Sequence, residues 1–266
     1  MTAGTTDTTV TEEQDPVLTE VVDGVLVVTI NRPGARNAIN TVTAEAIGAA
    51  MDRLDSDPTL VSGIITGAGS TFCAGMDLKA FLAGEKPSIP GRGFAGIVEG
   101  PPSKPLIAAV EGYALAGGFE IALACDMIVA ADDVKFGLPE VKRGLVAAGG
   151  GLMRLPQRVP YHLAMEWALT GAMITAQQAH EVFLVNRLTP RGGALAGALE
   201  LGRAIAANGP LAVRATKQVI VEAPEWSRDE MFDRQRDITV PVRGSEDARE
   251  GATAFKEKRA PRWQGR

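Results

Sequence analysis

The chain has 266 residues, of which 45% are hydrophobic and 22% charged, with a formal net charge of −5. That is ordinary globular composition and enough length to bury one full core, while the negative balance speaks against non-specific nucleic-acid binding. No apolar run approaches the ~20 residues that span a bilayer. Cys73 and Cys125, the only cysteines, are too far apart to suggest a disulfide framework or a zinc site.

Residues 1–16, rich in Thr, Glu and Asp without an apolar stretch, read as a disordered tail rather than a targeting segment. We therefore expect a cytoplasmic setting. Val17–Val22 and Val25–Ile30 flank Asp23-Gly24, the signature of a β-hairpin. Ile47, Ala50, Met51 and Leu54 recur at helical spacing, predicting an amphipathic helix that stops before Pro58. Leu60–Thr66 is a short apolar strand broken by Gly67-Ala68-Gly69, and Leu106–Val110 a second one ending at Gly112. Between them, residues 83–104 carry five glycines and several prolines, too long for an ordinary connection and suited to lining a substrate pocket.

Ile121–Ala131 begins as a helix and ends as a strand, and helices dominate from Tyr161 onward. One of them presents Leu211, Ala215 and Val219 behind Pro210, and another starts at Ser245 with Glu246 and Asp247 in its first turn. Strands alternating with helices, then helices alone, predict a layered α/β core over residues 17–200 and a helical region over 201–266. The end of the chain is basic: Lys256, Lys258, Arg259, Arg262 and Arg266 stand against Glu257. That pattern suits either a solvated tail or a phosphate clamp.

Phosphate-loop, paired-histidine and nucleophile-elbow motifs are all missing, and His162 and His180 sit in ordinary helical segments. What remains is glycine-rich turns next to acids. In Phe72-Cys73-Ala74-Gly75-Met76-Asp77-Leu78-Lys79, Gly75 permits unusual backbone angles and Asp77 can open a helix. The run from Gly112 to Glu120 places Gly117 at another helix start, where backbone N–H groups are free to face a negative oxygen. A third turn, Phe136-Gly137-Leu138-Pro139-Glu140, adds a second carboxylate. Taken singly, each turn is equally well explained as a tight strand-to-helix connection.

Together these segments resemble the crotonase (enoyl-CoA hydratase/isomerase) superfamily. The likeness is carried by Asn31-Arg32-Pro33, Asn37-Ala38-Ile39, FCAGMDLK at 72–79, GYALAGGFE at 112–120, FGLPE at 136–140 and FKEKRAPRW at 255–263. It implies an α/β fold of the ClpP/crotonase type: a spiral of ββα units with a C-terminal helical subdomain that assembles trimers, often paired as hexamers. Met76 and Gly117 match the positions whose backbone N–H groups form the oxyanion hole. Ala74, Asp77, Leu78 and Lys79 lie where the family lines the path of coenzyme A, and Lys258 matches a basic residue that reaches the CoA phosphates, commonly of a neighbouring subunit.

The resemblance further implies an acyl-CoA substrate, with coenzyme A as part of that substrate and no separate cofactor. The negative charge, the lack of a long apolar run and the missing metal-type motifs lead us to expect no nucleic acid, membrane or metal partner. Glu120 and Glu140 match the two acids that hydratases of the family keep. Adding water to an enoyl-CoA, the hydration step of fatty-acid β-oxidation, needs a base for the attacking water and an acid for the α-carbon. We assign Glu120 to the first role and Glu140 to the second. The expected activity is therefore that of an enoyl-CoA hydratase. The alternatives are a carnitinyl-CoA-type dehydratase, which the phrase GMDLKAF also resembles, a double-bond isomerase, or an acyl-CoA-binding protein without turnover. One departure stands out: Ala147-Ala148-Gly149-Gly150-Gly151 replaces the Pro-Gly-Ala-Gly-Gly common in hydratases.

Overall fold

The computed structural model describes residues 15–266, so all but the last two residues of the expected tail lie outside the described residues. Asp15 and Pro16 are tied down, their carbonyls accepting hydrogen bonds from Asn31. The Asp23-Gly24 turn closes the expected hairpin between β1 (Val17–Val22) and β2 (Val25–Ile30). Helix α1 (Thr41–Ser56) is capped by the Asn40 side chain, which accepts from the Thr43 N–H. It leads into β3 (Ser62–Gly67).

The next stretch holds the short α2 (Leu78–Leu82), then β4 (Ser88–Ile89) paired antiparallel with β5 (Gly93–Phe94). The long segment 83–104 is thus a pinned hairpin. Arg92 fastens it, donating from Nε to Asp52 at 3.0 Å and from Nη1 to the Gly100 carbonyl at 2.7 Å. Then come β6 (Leu106–Val110), β7 (Tyr113–Leu115), α3 (Gly117–Ala124), β8 (Met127–Ala131) and β9 (Lys135–Gly137). Helices α4 (Gly151–Arg158) and α5 (Tyr161–Thr170) precede β10 (Ile174–Thr175), α6 (Ala176–Glu181) and β11 (Arg187–Thr189). The chain ends in α7 (Ala194–Ala206), α8 (Pro210–Glu222), α9 (Met231–Arg243) and α10 (Glu246–Glu257).

Six strands form one sheet in the order β1-β2-β3-β6-β8-β11, parallel except for the β1–β2 edge. Both faces of the inner strands β2, β3, β6 and β8 are covered, so these are largely buried, whereas edge strand β1 stays mostly exposed. Val25, Val27, Ile64, Ile107 and Val129 face α7, while Leu26, Val28, Ile65 and Ala108 face the main core with α1 and α3. After each central strand the chain steps onto a second layer, where short stretches pair in parallel: Ile39 with Met76, Cys73 with Ala114, and β7 with β9. Each turn therefore adds one strand to each layer. This is the spiral that the resemblance implies, and it stacks the turn ending at Met76 directly on the turn ending at Gly117.

The C-terminal helices are packed differently. Helix α8 buries only Ala215 and α9 buries nothing, while Ile220, Val221, Phe232, Val240 and Phe255 stay exposed. Among the described residues, no helix is long and apolar enough to cross a membrane.

Candidate functional site

The first turn is built around Gly75, which has φ +97°. Its carbonyl accepts from the Ile39 N–H and the Asp77 N–H donates to the Ile39 carbonyl. Met76 is held between these two bonds, and among the described residues its own N–H has no acceptor. Asp77 caps α2, accepting from the Lys79 N–H at 3.0 Å, and its other oxygen meets Arg32 at 3.0 Å. Arg32 also donates to the Ala38 carbonyl, so one guanidinium clasps both sides of the turn. Desolvation opposes ionisation of Asp77, but the Arg32 and helix-start hydrogen bonds together outweigh it and hold the carboxyl below its ordinary range.

The second turn carries strain. Ala116 adopts φ 51°, ψ −128°, a conformation that non-glycine residues rarely hold and that clusters at functional sites. Its N–H donates to the Gly137 carbonyl, which fixes the kink. The next residue, Gly117, opens α3, so its N–H points out of the helix start and has no acceptor among the described residues. The two turns touch: a β-carbon at Gly75 would lie 3.0 Å from the Gly117 nitrogen. The Phe94 ring of the pinned hairpin lies over Gly117, closer than a side chain there would allow.

Glu120 sits in the first turn of α3 and is 4% exposed. It accepts a 2.9 Å hydrogen bond from the Gly151 N–H at the start of α4, and the Gly149 N–H also faces it. Burial nevertheless pushes its carboxyl above the ordinary value, against the pull of these donors and of Arg154. Glu140 lies on a short 3-10 turn, Pro139–Arg143, as Pro139 suggests. Its Oε2 is buried without a hydrogen-bond partner among the described residues. Burial first and the charge of Glu120 also raise its carboxyl. The charge on Glu120 therefore opposes ionisation of Glu140.

The remaining expected residues are placed as follows. The N–H of Ala74 donates to the Arg36 carbonyl, and Leu78 and Lys79 are exposed on α2 beside Met76. Lys258 ends α10 with φ 55°, exposed and without an ion pair among the described residues. Its basic neighbours are partly neutralised: Arg259 pairs with Glu250 and Glu257, and Arg266 with Glu246. Both cysteines are buried and free, and burial pushes the Cys73 thiol up to about 12.

Ala148 is exposed, and the donors to Glu120 come from its neighbours Gly149 and Gly151. Arg32, Phe94, Ala116 and Arg154 escaped the sequence reading as site residues. Arg32 and Ala116 stood in quoted motifs, Phe94 in the long segment expected to line a pocket, and Arg154 follows a glycine run by one turn; no local signal singled out the residues themselves. Among the described residues no cluster of His, Cys, Asp and Glu has the makings of a metal site.

An arrangement of two free N–H donors beside two protonation-prone carboxylates can stabilise an oxygen anion while a proton is moved. Residues 20–266 match the family described as enoyl-CoA hydratase/isomerase. Among curated relatives, enoyl-CoA hydratase EchA19 of Mycobacterium tuberculosis is 47% identical over 252 residues, covering 91% of this chain and 93% of the relative. Carnitinyl-CoA dehydratase of Proteus mirabilis is 43% identical over 250 residues, covering 91% and 95%. The crystal structure of enoyl-CoA hydratase EchA1 from Mycobacterium marinum superposes with a TM-score of 0.94 at 58% identity, covering 95% of this chain and 100% of that one.

Proposed function

Because the chain belongs to the enoyl-CoA hydratase/isomerase family, we propose that it is an enoyl-CoA hydratase, a hydro-lyase that reversibly adds water to a 2-enoyl-CoA thioester to give the 3-hydroxyacyl-CoA. The arrangement that supports this most is the contact of the Gly75-Met76 turn with Gly117, the Met76 and Gly117 N–H groups both lacking an acceptor among the described residues, together with buried Glu120 and half-buried Glu140.

In the proposed reaction the thioester carbonyl oxygen lies between the two N–H donors. Glu120 takes a proton from water as its oxygen bonds to the β-carbon. The π electrons move onto the carbonyl oxygen, where each preorganised donor is worth ~10²–10³ in rate. Glu140 then gives its proton to the α-carbon as the carbonyl re-forms. Glu120 suits the base role because two N–H groups, the helix start and Arg154 favour its anion. Glu140 suits the acid role because its Oε2 has no donor to stabilise a charge, and the Glu120 anion opposes one. Dehydration runs the same steps backward. No cofactor beyond the coenzyme A of the substrate enters.

Ala74, Leu78 and Lys79 line the proposed path of coenzyme A, with Asp77 shaping it through the Arg32 clasp rather than through a free carboxylate. Residues 17–200 form the catalytic core and 201–266 the assembly region. Trimers, or hexamers of paired trimers, are supported by the apolar side chains exposed on α8, α9 and α10, and they would let Lys258 serve a neighbour's CoA phosphates. Two buried free cysteines fit a reducing, cytoplasmic setting.

The similarity to carnitinyl-CoA dehydratases favours a second reading, a polar acyl group. Comparing kcat/KM for crotonyl-CoA hydration and carnitinyl-CoA dehydration decides between them. Preference for crotonyl-CoA is expected, and a reversed preference would replace the substrate while keeping the mechanism.

A further inference from the structure

Arg154 stands one helical turn into α4, and its surroundings are unusual for a half-buried arginine. Among the described residues it has no direct ion pair. Its Nη2 donates to the Val98 carbonyl at 2.5 Å, at the end of the pinned hairpin that carries Phe94. Its Nη1 is packed so closely under Gly150 that a side chain there would collide with it, and Gly150 keeps φ +89°. The glycines on either side of Gly150 are the two whose N–H groups face Glu120. A single cation thus lies behind the loop that holds Glu120 and ties that loop to the hairpin whose Phe94 ring covers Gly117.

We infer that Arg154 is a positioning residue for hydration: it fixes the Gly149–Gly151 donors on the Glu120 carboxylate and sets a positive charge behind that loop, without touching the substrate. The charged groups that face Glu120 among the described residues are Arg154 from α4 and Glu140 from the Pro139–Arg143 turn, acting in opposite directions. Arg154 is the only one that favours the anion. The cost falls on Arg154, whose own charge is disfavoured first by desolvation and partly restored by Glu120. Arg158, one turn further on, bonds the Leu123 carbonyl and repels Arg154, so it does not share the task.

The inference rests on Glu120 acting as the base, and its test separates the two. Arg154→Gln keeps a donor for the Val98 carbonyl but loses the charge, whereas Arg154→Lys keeps the charge but loses the planar fork. Steady-state crotonyl-CoA hydration is followed from about pH 5.5 to about pH 8 for both variants and the parent enzyme. A protonated Glu120 does not accept a proton from water, so removing the cation moves the acid limb of kcat/KM to higher pH. Relative to its value at the alkaline end, R154Q should lose more activity than the parent at the acid end, by about two- to threefold. R154K should keep the parent's limb even if its kcat falls. The inference is overturned if both variants keep the parent's limb, if both shift it alike, or if neither folds by circular dichroism, each of which leaves Arg154 a structural residue. A parent enzyme that does not hydrate crotonyl-CoA at any pH overturns the base assignment itself, and with it this one.

Discussion

A β-carbon on Gly75 would stand 3.0 Å from the backbone nitrogen of Gly117, 3.0 Å from the Ala116 methyl and 3.1 Å from the Leu115 carbonyl oxygen. The two proposed donor turns are therefore in contact through bare backbone, and their separation is set by the missing side chain at position 75. Gly75→Ala also forces alanine into φ +97°. We expect kcat for crotonyl-CoA to fall by about 10²-fold, with a much smaller change in KM, because the donors are misplaced for the transition state more than for the substrate. Steady-state kinetics on the folded variant check this. A KM effect alone would mean that the contact serves binding.

Glu120→Gln and Glu140→Gln each remove a proton-transfer group while nearly preserving shape. Each should lower kcat by about 10²–10⁴-fold. Calorimetric titration with acetyl-CoA should give nearly the parent's affinity for both. Parent-like turnover in either variant removes that residue from the mechanism.

The same acids make stability depend on pH. Burial raises both carboxyls in the folded state above their unfolded values. Their favourable contribution is therefore present below the unfolded pKa and is lost as pH rises through the folded pKa. Glu140→Gln, which cannot ionise, should melt on the order of 2 °C above the parent at about pH 8 and show no advantage at about pH 4. An advantage of equal size at both values would mean that the gain has nothing to do with ionisation.

The departure at Ala147-Ala148 bears on the loop around Glu120 less than its neighbours do. Ala148 is exposed, whereas a β-carbon on Gly149 would sit 2.6 Å from Glu120 Oε2. Ala148→Gly should change kcat/KM by less than about threefold, as exposed substitutions do. Gly149→Ala should cost about 10²-fold by turning the carboxylate. The ratio of the two variants' kcat/KM values is the readout, and equal losses would place the loop's influence elsewhere.

Local signals carried much of the fold. The Asp23-Gly24 turn, the apolar period ending before Pro58, Pro210 at a helix start and the Ser245 cap all specify their elements through neighbouring residues, and the structure has each where expected. The hairpin at 88–94 was not legible, because what orders it is the pairing of Arg92 with Asp52, forty residues away in sequence. At the site, glycine-rich turns alone were ambiguous; the resemblance singled out Met76 and Gly117, and the spiral sets the turn at Gly75 against Gly117. The strained Ala116 leaves no trace in sequence, since alanine normally avoids that backbone region. Arg154 reads locally as one more helix residue, and only the tertiary position of Gly149–Gly151 gives it a carboxylate to act on.

The most direct test of the central claim is to mix the enzyme with crotonyl-CoA and follow the conjugated enoyl-thioester absorbance, identifying the product by NMR. The account predicts rapid decay to 3-hydroxybutyryl-CoA in the parent and its near abolition in Glu120→Gln and Glu140→Gln. Unchanged absorbance with coenzyme A still bound, or equal decay in the variants, would contradict it.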